Sequence, residues 1–101
     1  MTIKNALHTF EKNNGPFSFA TFMLGARTTL DLTQVEMAKK LGITKSALCE
    51  IEKGRTLVSV EAAIRYAKKA GFSTTVAIEA CLQDQLKKAN IKKRIKIIDA
   101  A

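Results

Sequence analysis

The chain has 101 residues, 47% of them hydrophobic, which is room for one small domain with a modest core. Lys and Arg outnumber Asp and Glu by 17 to 9, a formal charge of +8 that favours a polyanionic partner. Two cysteines without CxxC spacing and a single histidine exclude a zinc site, and no apolar run is long enough to span a bilayer. The expectation is a soluble, cytoplasmic protein with two reduced thiols, no cofactor and no membrane association.

Residues 1–16 end in the breaker Asn13-Asn14-Gly15-Pro16. Before it, Ile3, Ala6, Leu7 and Phe10 fall at helical spacing, which fits either a short N-terminal helix or an arm. His8 and Glu11 complete no site and read as surface. Pro16 suits the first turn of a helix, where its missing N–H costs nothing. A helix is therefore expected from about Phe17 to Thr28, with Phe19, Phe22, Met23 and Ala26 as its apolar stripe. Gly25 inside it costs helix stability and leaves room for another helix to approach.

Thr33-Gln34-Val35-Glu36 is a capping box that opens the next helix, and Gly42 closes it in the left-handed conformation. Val35, Ala38 and Leu41 are expected to face inward, with Met37 at the edge and Ile43 plugging the core after the turn. Thr44 then caps a following helix that Gly54 ends. At about 100° per residue, Ala47, Leu48 and Ile51 cluster on one side of it. Lys45, Ser46, Cys49, Glu50 and Lys53 cluster on the other.

Ser59 caps a fourth helix, striped by Val60, Ala63, Ile64 and Ala67 and ended by Gly71. Ser73 or Thr74 caps a fifth that reaches about Ala89, with Ile78, Cys81, Leu82 and Leu86 as its stripe and Cys81 as a small buried hydrophobe. Asn90 breaks that helix. Isoleucines interleaved with Lys and Arg from Ile91 to Ile98 then predict a strand. A lone strand is unstable, and the economical partner is the same strand of a second copy across a two-fold axis. Six Lys/Arg and no acid lie between Leu86 and Ile98. They fit either a charged guard on an edge strand or added affinity for phosphate.

Arg27, Thr33-Gln34, Glu36, Ala38, Gly42, Ile43, Leu48, Ile51, Glu52 and Gly54 together carry the spacing TQxEMAxxLG…LxxIExG. On these residues the stretch 17–71 resembles the five-helix, lambda-repressor-like family of Xre-type regulators. The resemblance implies an all-α domain whose third helix lies in the major groove of double-stranded DNA. Residues 1–16 are then an N-terminal extension and 72–101 a C-terminal helix and basic strand serving dimerisation. It also implies that Gln34 spans a backbone phosphate and the recognition helix. Lys45, Ser46 and Glu50 match positions that touch base edges. Lys suits guanine O6 or N7 and Glu suits cytosine N4. Cys49 shares that face, where its short side chain suits a thymine methyl or, less readily, a redox role. Thr33, Thr44, Lys53, Arg55 and Thr56 stand where phosphate is touched. Arg27 and Glu52 resemble the family's buried ion pair, a structural feature.

Two functions follow as expectations. The first is a sequence-specific transcriptional regulator, a repressor, bound as a homodimer to a palindromic operator. The second is an antitoxin that sequesters a toxin protein and represses its own operon, because small Xre-type proteins with extensions on both sides resemble such antitoxins. No Ser/His/Asp set, metal cluster or phosphate-cradling Gly loop points to an enzyme.

Overall fold

Serine and threonine hydroxyls set where the helices start, because each supplies an acceptor for an otherwise orphaned N–H. The computed structural model describes residues 17–100 and contains five helices. They are α1 (Phe19–Thr29), α2 (Gln34–Leu41), α3 (Lys45–Glu52), α4 (Val60–Ala70) and α5 (Thr74–Lys88). Ser18, Thr33, Thr44, Ser59 and Ser73 stand immediately before them, and each accepts the N–H three residues on. The expected N-terminal helix or arm, Pro16 included, lies outside the described residues. The first helix starts at Phe19 rather than Phe17, because Ser18 and Thr21 form a reciprocal capping box.

All five helices end by the same device. Asp31, Gly42, Gly54, Gly71 and Asn90 adopt positive φ. Each donates to the carbonyl three residues back, and the next residue donates to the carbonyl five residues before itself. This is the Schellman closure. Asp and Asn are the non-glycine residues that best tolerate it. At Gly42 (φ 75°) a Cβ would also come within 3.1 Å of Lys69 Nζ, which itself donates to the last carbonyl of α2, Leu41 O, at 3.3 Å.

The core is one cluster. Phe19, Phe22, Met23 and Ala26 of α1 meet Met37, Ala38 and Leu41 of α2, and Leu48 and Ile51 of α3. Ala63, Ala67 and Ala70 of α4 and Ala77, Ala80 and Cys81 of α5 close the other side. Phe72 sits edge-on to Phe22 at 6.4 Å between ring centres. The Cys81 thiol donates to Val58 O at 2.8 Å and so ties α5 to the linker before α4. Burial holds that thiol above its ordinary pKa, so it stays protonated and able to donate.

Three inward assignments are corrected. In α2, Met37 is fully buried and Val35 is 59% exposed. The capping box fixes the helix phase so that Met37-Ala38-Leu41, not Val35, faces α3. In α3, Ala47 is exposed and only Leu48 and Ile51 are buried. An eight-residue helix that must present a wide polar face has room for two inward residues per pair of turns. In α5 the inner face is Ala77, Ala80 and Cys81, while Ile78, Leu82 and Leu86 are half-buried. The small residues face in because α4 also offers alanines there, and close helix approach leaves no space for leucine.

The expected C-terminal strand is also corrected. No strand occurs among the described residues. The chain past Asn90 forms neither helix nor strand, and from Lys93 to Ile97 its backbone bonds to side chains of α5. The Gln83 amide donates to Lys93 O at 2.7 Å and accepts from Ile95 N at 2.9 Å. Glu79, one turn earlier, accepts from Ile97 N at 2.8 Å. The tail therefore runs back along α5, with Ile95 and Ile97 half-buried and Ile98 exposed. Its alternation of Ile with Lys and Arg reads as a strand, yet side chains of a helix supply the hydrogen bonds.

Candidate nucleic-acid interface

The relative placement of α2 and α3 is set by one carboxylate. Glu52, at the end of α3, accepts from Arg27 Nε at 2.8 Å and Arg27 Nη2 at 3.2 Å, both from α1. It also accepts from Gln34 Nε2 at 3.0 Å, at the start of α2. Arg27 Nη1 donates to Leu32 O at 3.0 Å, in the turn before α2. α1 and α2 thus converge on an α3 side chain that is only 6% exposed, and Arg27 ties the turn to the same point. A buried charge with this many charge-assisted donors is satisfied, and fixes geometry as well as energy. The sequence suggested the Arg27–Glu52 pair. The resemblance also set Gln34 against the recognition helix, without naming Glu52 as its partner there.

The outer face of α3 is what this clamp presents. Lys45, Ser46 and Ala47 are exposed on its first turn, and Cys49 and Glu50 are half-exposed on its second. All five lie on the same helix, so the structure groups Lys45, Ser46, Cys49 and Glu50 and adds Ala47. Ala47 was misassigned because a lone alanine carries little phase information. Its methyl is suited to apolar contact with a thymine methyl. Thr33 and Thr44 both spend their hydroxyls as acceptors for the Glu36 and Ala47 amides. Each thus marks a helix N-terminus where the dipole favours an anion. In return Thr33 N donates to Glu36 Oε1 at 2.9 Å, and these bonds hold the Glu36 carboxyl below its ordinary pKa.

At the far end of α3, Lys53, Arg55 and Thr56 are exposed on the linker to α4. Arg55 Nη1 approaches Glu50 Oε1 at 3.5 Å. Both partners are well exposed, so the pair adds little stability. Its effect is local: the guanidinium lies against the one acid among the outward residues of α3 and offsets its charge. The sequence shows the two residues five apart but not this contact, which depends on the left-handed turn at Gly54.

The profile of the helix-turn-helix family matches residues 26–76, half of the chain. The chain belongs to the lambda-repressor-like, Xre-type helix-turn-helix family. No curated protein and no solved structure matches it. The matched stretch of this Xre-type protein begins beside Arg27 and ends in the first turn of α5, so it contains the Glu52 clamp, α2, α3 and α4. Membership makes it a DNA-binding transcription regulator. No helix among the described residues is long and apolar enough to cross a membrane, and no cluster of three or more His, Cys, Asp or Glu there is arranged to hold a metal.

Proposed function

We propose that the protein is a repressor that binds a palindromic operator as a homodimer. Lys45, Ser46, Ala47, Cys49 and Glu50 read base edges, and Thr33, Gln34, Thr44, Lys53, Arg55 and Thr56 hold the sugar-phosphate backbone. One observation carries this reading: α3 is locked by Glu52 at its C-terminal end while its N-terminal turn offers Lys45, Ser46 and Ala47 outward. An eight-residue helix is about 12 Å long at the usual rise, enough for one half-site. A second copy one helical turn away supplies the other half. A dimer seated on a promoter palindrome occludes it, which makes the regulatory effect repression.

Footprinting on the protein's own promoter tests this. The expected result is a symmetric protected site, with Lys45→Ala and Ser46→Ala each losing about 1–3 kcal/mol of preference for it while the fold melts unchanged. Equal affinity for every duplex overturns it.

A second reading, an antitoxin, is favoured by the tail. Ile91 and Ile98 are 45% and 79% exposed and lie outside the family match. Apolar side chains displayed on a segment outside the helices suit a protein partner. Purification from the native host without a stoichiometric protein partner counts against it.

A further inference from the structure

A cleft of about 630 Å³ lies where the linker after α3, the start of α1 and the end of α5 meet. Four cations line it: Lys53 and Arg55 from the linker, and Lys87 and Lys88 from the last turn of α5. All four are exposed. Two carboxylates also reach the cleft, and both are engaged. Glu52 is held by Arg27 and Gln34, and Asp84 accepts the Phe19 N–H at 3.1 Å. Four cations against two carboxylates leave the cleft with a net positive charge, and one of its walls is the linker assigned above to phosphate contact.

We propose that the DNA-backbone interface continues across this cleft onto Lys87 and Lys88, so that α5 grips phosphates flanking the half-site. This rests on the DNA-binding reading of Lys53 and Arg55. The partner chemistry is a phosphodiester chain rather than a single anion, because the cleft is open and its cations are spread along two walls. Such contacts position without reading sequence. They are expected to raise affinity for all duplexes alike and to steepen its salt dependence, since each neutralised phosphate adds about 0.9 to the slope of log K against log salt.

The experiment is a salt titration of binding to an arbitrary-sequence duplex, followed by fluorescence anisotropy. Lys87→Gln/Lys88→Gln is compared with the unsubstituted protein and with Lys92→Gln/Lys93→Gln, which removes the same charge from the tail outside the cleft. The expected result is a slope reduced by about 1–2 for the cleft variant, a much smaller change for the tail variant, and restoration by Lys87→Arg/Lys88→Arg. An unchanged slope, or an equal reduction in both variants, overturns the proposal. If the unsubstituted protein binds no duplex at all, the DNA-binding reading fails first and takes the proposal with it.

Discussion

The helix-turn-helix and the C-terminal third solve the same problem, fixing one element against another, by opposite means. Around α3 a single carboxylate receives three side-chain hydrogen bonds from two other helices. Along α5, alanines pack closely inside and amide and carboxylate side chains hold the tail outside. The first solution is concentrated, and losing one member strands the rest. The second is distributed over small contacts, each of which can fail with modest cost. Concentration suits α3, whose outward side chains are proposed to meet base edges, a task that needs placement within fractions of an ångström.

The sharpest way to break the contrast is at the clamp. Arg27→Met leaves Glu52 buried with Gln34 as its remaining side-chain hydrogen-bond donor among the described residues. Removing one partner of a buried pair costs about 3–5 kcal/mol. For a domain of this size that lowers the melting temperature by more than about 12 °C. The double variant Arg27→Met/Glu52→Met is expected to recover much of the stability but not the operator affinity, since Gln34 then loses its anchor. A thermal melt beside a binding titration reads both. Equal losses in the single and double variants would show that the pair does not act as a unit.

A smaller effect sharpens the other side. Ala80 is fully buried where α5 packs on its neighbours, and Leu82 is half-buried on the outer side. Ala80→Leu is expected to cost about 1–3 kcal/mol through overpacking. Leu82→Ala should cost less than the 2–5 kcal/mol of a fully buried leucine. Urea midpoints for the pair decide it. If Leu82→Ala is the more damaging, the large residues rather than the small ones hold α5.

Those two variants also mark how far the sequence could be read. Helix starts and stops were legible because they depend on local chemistry: Thr33, Thr44 and Ser59 as caps, and Gly42, Gly54 and Gly71 as left-handed closers. The Arg27–Glu52 pair was legible through the spacing of the whole motif. The face of α5 was not, because a stripe of large apolar residues is ordinarily the inner one, and nothing in a single helix reveals that its neighbour also offers alanine. The tail misled for a related reason. Alternation of Ile and Lys reads as a strand, and Gln83 and Glu79 look like ordinary surface residues until the chain turns back at Asn90. The outward placement of Lys45, Ser46, Cys49 and Glu50 on α3 was legible, while that of Ala47 and the Glu50–Arg55 contact depended on phase and on a turn.

The finest test returns to carboxylates, since Asp84 is the distributed region's counterpart to Glu52. It has one backbone donor, the Phe19 N–H, where Glu52 has three side-chain bonds. Burial pushes its pKa above the ordinary aspartate range, although the Phe19 N–H and the nearby Lys87 charge pull the other way. The folded state therefore binds more protons than the unfolded one between the ordinary and the raised value. Stability must fall as pH rises through that window and stay at the lower level above it. Glu36 has the opposite linkage. Its lowered pKa contributes stability above the unfolded value that is lost as pH falls through the folded one. Because Asp84→Asn leaves Glu36 in place, subtracting the two proteins' stabilities isolates Asp84. Asparagine keeps an oxygen for the Phe19 N–H and carries no charge to desolvate. The variant's advantage should thus grow as pH rises through the window and then level off, as read by urea unfolding across a pH series. A pH-independent difference, or one that favours the parent at neutral pH, would mean that Asp84 is held as firmly as Glu52 and that the two regions differ less than their hydrogen bonds imply.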